Sequence, residues 1–517
     1  MDLNQLDENQ DLIVIGGGVT GAGILCEAAR AGARVLLVEQ KDFAWGTSSR
    51  SSKMIHGGLR YLKQGRIFLT RDSIIHRERL IAEATGLVEP VDFLMPVYSD
   101  AGASRYTLGA GLFLYDFIAG RKYHEYLKPD ELLKIAPYLR QDTLRGGFRL
   151  MDAMVDDARL VLRLIFRGCE SGGSALSYAR AEKIIRDKDG MVKGVEIRDT
   201  ETGQTRMLQT SVVINATGAW AEELHPSPVR GSHLRPLRGS HLIFPADVIP
   251  VEKCMILPHP DDERPVMVLP WEGAVLVGTT DVDHREDLSL EPAITHEELV
   301  YLMKMLEYYF TGMKIAVSDI ISTIAGVRSV LSHGNKAPSK ESREHVIWKD
   351  RGLVTVTGGK LTTFRSMAWD ALSSAMGTKK FKSRSLRDEP VFPAVDIPGE
   401  YKSRLPAKSL ERLYGRYGQR ADEIINAASG NDLELIEGTD TLWAELPFNA
   451  RTGRIRHLSD LLFRRVRIGL LLQGGGEKHL DRIEALCSPF LDWDADRWAS
   501  EKNAYVDEWK SSHGLPG

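Results

Sequence analysis

The feature that most constrains the fold is a strand–turn–helix–strand pattern in residues 11–39, which read DLIVIGGGVTGAGILCEAARAGARVLLVE. The apolar, β-branched run at 12–15 is typical of a buried parallel strand. A helical pattern at 22–30 and a second apolar strand at 34–38 follow it. This order predicts the first βαβ unit of a doubly wound sheet.

The turn of this unit carries a phosphate-binding fingerprint. Gly16, Gly18 and Gly21 stand at G-x-G-x-x-G spacing between the first strand and the helix. Glycine there permits a tight turn and lets backbone N–H groups approach a pyrophosphate at the helix N-terminus. Glu39 ends the second strand, where its carboxylate accepts hydrogen bonds from a ribose 2′-OH and disfavours a 2′-phosphate. The pattern predicts a dinucleotide site and argues against NADP.

Composition excludes several classes of protein. The 517 residues suffice for two or three domains, and 43% hydrophobic with 27% charged residues predict a soluble protein. The net charge of −4 gives no sign of a nucleic-acid partner. The polar, acidic first ten residues predict neither a signal peptide nor a mitochondrial presequence, and no apolar run is long enough to span a bilayer.

Cysteine usage favours a reduced, cytoplasmic setting. Cys26, Cys169, Cys254 and Cys487 are scattered and form no CxxC motif. This spacing argues against a disulfide framework and against a zinc or iron–sulfur site, so no metal is expected.

The segment after Glu39 is dense in Gly, Ser, Thr and basic residues, a composition suited to a ligand-contacting loop. Residues 47–62 read TSSRSSKMIHGGLRYL. This series resembles the flavin-contacting loop of the FAD-dependent glycerol-3-phosphate dehydrogenases, which belong to the D-amino-acid-oxidase-like flavoproteins. Every fixed position of the family pattern T-S-S-x-S-S-K-x-I-H-G-G-L-R-Y-L is met.

Other motifs carry the same resemblance further along the chain. V-D-D-A-R-L stands at 155–160, A-T-G at 216–218 and G-T-T-D at 278–281. Two positions depart from the family pattern: Arg238 replaces the lysine of K-G-S-H, and Ser329 replaces the proline of G-V-R-P.

The element pattern and the resemblance together predict an α/β fold. It comprises a discontinuous Rossmann-like FAD-binding domain, an inserted antiparallel-sheet substrate domain and a C-terminal helical domain. The last has predicted helices at 409–417, 422–428, 458–472 and 494–510. The predicted boundaries are 1–90, 150–235 and 350–378 for the FAD-binding domain, 91–149 and 236–349 for the substrate domain, and 379–517 for the C-terminal helical cap domain.

The resemblance implies that the cofactor is FAD. Cofactor contacts are expected at the glycine turn, the flavin loop, the A-T-G turn and the G-G-K turn that follows a strand at 353–357. The residues concerned are Gly16, Gly18, Gly21, Glu39, Gln40, Thr47, Ser48, Ser49, Ser52, Lys53, His56, Gly57, Gly58, Ala216, Thr217, Gly218, Gly359, Lys360, Leu361 and Thr362.

The chemistry of a reduced flavin explains the G-G-K turn. Accepting a hydride leaves negative charge on the flavin, which backbone donors, a helix N-terminus or a lysine stabilise. Arginines suit a phosphorylated substrate because guanidinium groups match phosphate oxygens. By resemblance the substrate-binding residues are Arg60, Tyr61, His241, Arg328, Arg343 and Lys360, and the catalytic residues are His241, Arg328 and His56. Either His241 or His56 is expected to take the hydroxyl proton, and the sequence does not decide between them.

The implied reaction is oxidation of sn-glycerol 3-phosphate to dihydroxyacetone phosphate, with electrons passed to a quinone. The implied location is cytoplasmic and peripheral at the inner face of the cell membrane, and a homodimer is a further expectation. The apolar stretch 106–119, flanked by Arg105, Arg121 and Lys122, is either a surface that docks on a membrane or a buried helix. The alternatives are a glycerol-3-phosphate oxidase that uses O2, an amino-acid oxidase of the same fold, and a non-catalytic flavin-binding protein.

Overall fold

The structure is a computed structural model, and it describes residues 3–63, 65–225, 233–332, 344–377 and 387–517. The side chains of Arg60, Lys63, His233 and Ser332 lie outside this description.

The described residues form two large sheets and one small sheet. The strands are β1 Leu12–Ile15, β2 Val35–Val38, β3 Val88–Tyr98, β4 His124–Leu127, β5 Leu144–Val155, β6 Ser174–Leu176, β7 Ala179–Arg186, β8 Val192–Asp199, β9 Thr205–Gln209, β10 Val213–Asn215, β11 His233–Pro245, β12 Cys254–Pro258, β13 Pro265–Trp271, β14 Ala274–Gly278, β15 Val282–Asp283, β16 Ser322–Ser332, β17 Val346–Asp350 and β18 Leu353–Thr357.

Helices cover these sheets and form most of the C-terminal region. They are α1 Val19–Arg30, α2 Leu59–Lys63, α3 Ile67–Glu83, α4 Arg105–Ala119, α5 Pro129–Ile135, α6 Asp157–Glu170, α7 His296–Tyr309, α8 Phe364–Met376, α9 Ala407–Tyr417, α10 Ala421–Ala427, α11 Glu445–Thr452, α12 Ile468–Leu471, α13 Leu480–Cys487 and α14 Ala495–Ser512. Short 3₁₀ helices include Thr47–Ser49, Gly218–Trp220 and Leu361–Thr363, and a π-helix spans Asp460–Arg465.

The first sheet has the order β17-β18-β10-β1-β2-β6. Five of its strands are parallel, and β17 is antiparallel to β18. Strand alternation sends Leu12 and Val14 into the core beneath α1, α6 and α8, whereas Ile13 and Ile15 pack towards the three-stranded antiparallel sheet β7-β8-β9. The parallel sheet therefore has both faces covered, as its continuous apolar strands predict.

The second sheet has nine strands, and most pairs of neighbouring strands in it are antiparallel. Its order is β15-β11-β14-β13-β12-β3-β5-β4, and β16 pairs with β11 along most of that strand. α5 and α7 pack on one face, and α4 and the C-terminal helices share a core with the other. The predicted fold class is confirmed: a parallel α/β sheet, an inserted antiparallel sheet and a C-terminal helical region.

The domain limits stay predictions. Those at 90, 150, 235 and 350 fall inside strands of these sheets, and the limit at 378 lies outside the described residues. The limit at 90 lies within β3 and the limit at 150 within β5, both in the second sheet. The limit at 350 lies within β17, which joins the first sheet. Strand pairing therefore places these changes of sheet a few residues from the predicted limits.

Two C-terminal predictions have different outcomes. Helices at 407–417, 421–427 and 495–512 agree with the sequence pattern. The continuous helix predicted at 458–472 is wrong, because Arg467 takes a left-handed conformation (φ 67°) and separates the π-helix from α12. Its side chain turns inward to a distant loop, and that tertiary contact outweighs helical periodicity.

Two expectations concern the protein surface and the cysteines. All four cysteines are free thiols, as predicted. Residues 106–119 lie in α4, which is buried on one face through Leu112 and Tyr115 and exposed on the other, where Tyr106, Phe113 and Phe117 are 73%, 70% and 78% exposed. In the described parts of the chain, no helix is both long and apolar enough to cross a bilayer.

Candidate active site

The glycine turn after β1 is too tight for any side chain. Gly16 has φ +111°, and a Cβ on it would lie 2.6 Å from the carbonyl oxygen of Ala216. A Cβ on Gly21 would lie 1.9 Å from the carbonyl oxygen of Gly16. The turn after β1 and the A-T-G turn after β10 are thus in direct contact at the carboxyl edge of the parallel sheet, where nucleotides bind in such folds.

Glu39 closes one side of this turn. Its carboxylate accepts hydrogen bonds from the backbone N–H groups of Gly17 at 2.6 Å and Lys41 at 3.0 Å. Burial raises the pKa of Glu39 despite these hydrogen bonds. Ser48 reaches the same turn, because its hydroxyl accepts from the N–H of Val19 at 2.9 Å in the first turn of α1.

Asp157, at the start of α6, organises the flavin loop. Its carboxylate accepts from the N–H and the hydroxyl of Ser51 at 2.9 and 2.7 Å. It also accepts from Lys53 Nζ at 2.8 and 2.9 Å and from Arg467 at 3.0 Å. Lys53 Nζ and Arg467 both donate to the carbonyl of Ser49 as well. A side chain from the C-terminal region therefore fixes the loop that the sequence assigns to the flavin.

Lys53 is fully buried within this network, and burial lowers its pKa to about 8. The ammonium is occupied by Asp157 and the Ser49 carbonyl. Its role as a direct cofactor contact stays a prediction, whereas its structural role in the loop is evident from these contacts.

His241 lies beside the same loop, on β11. Its Nε2 is 2.9 Å from the hydroxyl of Ser52, and its Nδ1 is buried without a partner among the described residues. Burial, together with the charges of Lys53 and Arg328, lowers the pKa of His241 to about 3. The imidazole is therefore neutral at physiological pH.

His56 has a different environment. Its side chain is 45% exposed, and its Nδ1 lies 3.3 Å from Asp152 Oδ2. Asp152 also accepts from Arg77 and from the N–H of Gly57, both at 3.0 Å. Burial pushes the pKa of Asp152 upwards, but the hydrogen bond of His56 and the charge of Arg77 outweigh it, so the carboxyl stays ionised.

Arg328 emerges from β16 towards Asp281. It donates to the nearly buried carboxylate of Asp281, which is also 3.1 Å from Arg264. Burial lowers the pKa of Arg328 to about 10, so it still carries its charge at neutral pH.

The G-G-K turn after β18 meets the other segments at the same edge. Lys360 Nζ lies 3.5 Å from the centre of the Tyr61 ring, a cation–π contact. Thr357 donates to the carbonyl of Gly218 at 3.0 Å and lies 3.3 Å from the hydroxyl of Ser329.

A further bond ties the flavin loop to the strand of Arg328. The hydroxyl of Thr47 donates to the carbonyl of Val327 at 2.5 Å. The flavin loop, the A-T-G turn, the G-G-K turn and β16 therefore converge, although they are far apart in sequence.

Comparisons with known proteins agree with this geometry. The sequence profile of the family described as FAD dependent oxidoreductase matches residues 11–365, and that of the C-terminal domain of alpha-glycerophosphate oxidase matches 369–498. The aerobic glycerol-3-phosphate dehydrogenase of Staphylococcus haemolyticus is 32% identical over 494 residues, covering 89% of this chain and 87% of that protein. The chain belongs to the FAD-dependent glycerol-3-phosphate dehydrogenase family.

Other known proteins are also similar to this chain in sequence or in fold. The aerobic glycerol-3-phosphate dehydrogenase of Staphylococcus aureus (strain USA300) is 31% identical over 491 residues, with 89% of this chain and 87% of that protein covered. The solved glycerol-3-phosphate dehydrogenase of Bacillus halodurans complexed with FAD has a TM-score of 0.74 and 25% identity, covering 98% of this chain and 95% of that one. The glycine oxidase of Bacillus cereus, at 16% identity and a TM-score of 0.55 over 75% of this chain and 100% of that one, shares the fold.

FAD is the cofactor of this family, and the residues of the chain fit it. The glycine turn lies at the N-terminus of α1 and at the carboxyl edge of the parallel sheet, the usual place of a pyrophosphate, and Glu39 lies beside it at the end of β2. Lys360 and the following helical turn Leu361–Thr363 provide a cation and backbone donors. When bound, FAD supplies the acceptor for a hydride.

The predicted site residues divide by what the structure describes. Those of the glycine turn, the flavin loop, the A-T-G turn and the G-G-K turn lie close together. Gln40, Gly58, Gly359 and Thr362 belong to these segments or adjoin them in sequence. Arg343 lies outside the described residues, and so does the side chain of Arg60. Their roles stay predictions.

Sequence reasoning missed the residues that support the loop. The predicted site residues do not include Asp157, Arg467 or Asp152. These three side chains nevertheless hold Ser51, Lys53 and His56 in place. The V-D-D-A-R-L motif was a signal for Asp157, whereas Arg467 stands in a stretch that reads as helix.

Proposed function

We propose that the protein oxidises sn-glycerol 3-phosphate to dihydroxyacetone phosphate with bound FAD and passes the electrons to a quinone at a membrane surface. The main structural support is the cation–π contact between Lys360 and Tyr61. It lies at the carboxyl edge of the parallel sheet, where the flavin loop and β16 also lie. Family membership supports the same substrate.

Cationic side chains on two elements are placed to bind the phosphate of a phosphorylated substrate. Arg328 on β16 and Lys360 after β18 come from strands linked through Ser329 and Thr357. Arg328 is partly exposed while one of its nitrogens holds Asp281, so the remaining face of its guanidinium is available to a phosphate. We include Arg60 and Arg343 as further phosphate-binding residues on the basis of the sequence alone.

The proton of the substrate hydroxyl goes to His56 in this proposal. Asp152 holds Nδ1 of His56, which leaves Nε2 as the acceptor on a half-exposed ring. His241 is nearly inaccessible, and burial beside two cations makes its protonation costly. It orients Ser52 and contributes a neutral imidazole to the pocket.

An anaerobic titration tests the reaction. We expect sn-glycerol 3-phosphate to bleach the flavin absorbance of the holoprotein, and glycine or D-alanine to leave it unchanged. A flavin that stays oxidised would remove the proposal and favour a non-catalytic flavin protein. Bleaching by the amino acids alone would favour the amino-acid oxidase.

The acceptor is tested separately with the reduced holoprotein. We expect a soluble quinone analogue to reoxidise the flavin faster than oxygen does, with little hydrogen peroxide. Peroxide formed in equal amount to the substrate consumed would instead support the glycerol-3-phosphate oxidase.

Light scattering tests the homodimer expected from the sequence.

An apolar surface on α4 supports the membrane contact. Tyr106, Phe113 and Phe117 recur at spacings of seven and four residues, which places them in one stripe of the helix. α3 packs against α4 and adds Phe68, which is 83% exposed. Exposed basic residues border the helix: Arg105, Arg121 and Lys122. Aromatic side chains beside cations favour the interface of an anionic bilayer.

Vesicle co-sedimentation tests this surface. We expect the protein to pellet with vesicles containing anionic lipid, and the double variant Phe113→Ser/Phe117→Ser to stay in solution with its flavin reduction intact. Phe490→Ser is the matched control, because Phe490 is also exposed but lies in the C-terminal region. Equal pelleting of all three proteins would rule out α4 as the contact.

A further inference from the structure

A half-open cavity of about 150 Å³ lies between α6 and the C-terminal helices. Its walls come from α6, from the segment 392–395, from the end of α9 with the following turn, and from α11. None of its lining residues belongs to the candidate active site.

The cavity is strongly basic. Glu170 is the only acidic side chain among its described lining residues. Three arginines at its walls have carboxylate partners within 4.0 Å: Arg167 pairs with Glu170, Arg416 with Asp156, and Arg420 with Glu423. The two other arginines that line the cavity are Arg159 and Arg163.

Arg159 and Arg163 have no carboxylate within 4.0 Å among the described residues. Arg159 is 1% exposed and donates only to neutral groups, including Asn449 Oδ1 at 3.3 Å and the Tyr417 hydroxyl at 3.4 Å. Nη1 of Arg163 donates to the carbonyls of Tyr414, at 3.3 Å, and Gly415, and its Nη2 has no acceptor in the described part of the chain. Residues 378–386, outside the description, contain no Asp or Glu.

This arrangement leaves two positive charges without a carboxylate in direct contact, one on the buried Arg159 and one on the partly buried Arg163. Burial lowers the pKa of both arginines to about 10, and the charges of Asp156 and Glu445 on Arg159 and of Glu170 on Arg163 oppose this only in part. An isolated buried cation is costly unless an anion accompanies it.

Aromatic rings fix the cations and form the remaining walls. The guanidinium of Arg163 lies 4.5 Å from the centre of the Phe392 ring, and that of Arg159 lies 4.4 Å from the Tyr417 ring. Phe166 and Phe448 also line the cavity. These cation–π contacts restrict the motion of each guanidinium, which lowers the entropy lost when it binds a ligand.

We propose that this cavity binds a small phosphoryl dianion, either inorganic phosphate or a phosphate monoester with a compact apolar body. A phosphate carries a charge of about −1.5 to −2, which matches the two unpaired arginines. The cavity volume of about 150 Å³ is several times the roughly 30 Å³ of one water, so it admits a phosphoryl group with a few further atoms. A ligand there would join α6 to the C-terminal helices.

Hydrogen–deuterium exchange of the holoprotein, read by mass spectrometry, locates such binding. We expect millimolar inorganic phosphate to slow exchange in peptides that cover 392–395 and 414–420, relative to chloride at the same ionic strength. Protection confined to peptides of the flavin loop would overturn the proposal, because it would place the anion in the active site. Absence of protection anywhere would also overturn it.

Two further ligands distinguish the sources of the phosphoryl group. Phenyl phosphate should protect the same peptides at lower concentration than inorganic phosphate if the natural ligand is an ester, since its ring packs on Phe392. Equal potency favours inorganic phosphate. Benzoate tests the charge requirement, and protection by benzoate as strong as by phenyl phosphate would contradict a dianion site.

Arg163→Gln supplies the matched variant. We expect it to weaken the phosphate-dependent protection at least about tenfold, the effect of losing one charge-assisted contact. Arg180→Gln, an exposed arginine on β7, should leave the protection unchanged. Flavin content and circular dichroism establish that both variants fold, and undiminished protection in Arg163→Gln would contradict the assignment.

Discussion

Arg328 is a residue at which substrate binding and folding are separable. Its partner Asp281 keeps a second cation, Arg264 at 3.1 Å, when the Arg328 side chain is removed. The carboxylate is therefore not left unpaired, and the main loss falls on the substrate phosphate.

We expect Arg328→Ala to lose about 2–5 kcal/mol of transition-state binding, which is the usual cost of removing one partner of a desolvated charge pair. Steady-state kcat/KM for sn-glycerol 3-phosphate measures it. Arg235→Ala is the control, because Arg235 on β11 pairs with Asp283 at an exposed site. Wild-type kinetics in Arg328→Ala would take this residue out of the active site.

The two histidines differ in their environments. Burial lowers the pKa of His241 to about 3, so its charge does not change between pH 5 and 9. His56 is half-exposed and paired with Asp152.

Replacing His56 should cost more activity than replacing His241. We expect His56→Asn to lower kcat by about 10²–10⁴-fold, the typical contribution of a general base, while FAD stays bound. His241→Asn removes a neutral imidazole that contacts Ser52, so its effect on kcat should be smaller. A larger loss of kcat in His241→Asn than in His56→Asn would assign the proton to His241.

At the scale of elements, the flavin loop depends on a segment more than three hundred residues away. The sequence separation of Arg467 and Asp157 is 310, and both are fully buried. Between them they hold the Ser49 carbonyl, Ser51 and Lys53. The C-terminal region is therefore part of the site's support as well as an attached cap.

Arg467→Gln should loosen this support. We expect a loss of about 3–5 kcal/mol in stability, because a buried carboxylate network loses one of its cations. Faster hydrogen exchange in residues 47–53 and faster release of FAD are the measurements that separate this effect from general unfolding. Arg482→Gln is the control, as Arg482 is exposed in the same region. Unchanged exchange in 47–53 would mean that Lys53 alone suffices.

At the scale of the whole molecule, a histidine joins the C-terminal region to the sheet β7-β8-β9. Nδ1 of His457 lies 3.1 Å from Glu501, and its Nε2 lies 3.2 Å from Glu201 in the turn between β8 and β9. The hydrogen bond with Glu501 raises the pKa of His457 to about 9, and burial opposes this only partly.

Stability should therefore fall as the pH rises. A histidine whose pKa is raised by folding contributes fully below its unfolded pKa of about 6.5 and loses that contribution as the pH approaches 9. We expect His457→Gln to be less stable than wild type by about 1–2 kcal/mol at pH 6, because water screens part of the interaction. Urea unfolding at pH 6, 7.5 and 9 measures the difference, which should be smallest at the highest pH. A constant difference would assign the effect to packing.

The sequence by itself determined the βαβ unit and the glycine turn, and its resemblance to a known family indicated the inserted antiparallel sheet and the flavin loop. The first two features depend on local sterics and short-range periodicity, which a chain carries in consecutive residues: Gly21 is required because a Cβ would lie 1.9 Å from the carbonyl oxygen of Gly16. The cap of α7 by Thr295 and Glu298 was predictable for the same reason.

Only the tertiary structure decided which side chains support the site. The break of the predicted helix at Arg467, the burial of His241, the Asp152 partner of His56 and the unpaired Arg159 and Arg163 all depend on segments that meet after folding. Such contacts leave no local pattern, because the desolvation and charge that define them are set by residues hundreds of positions away.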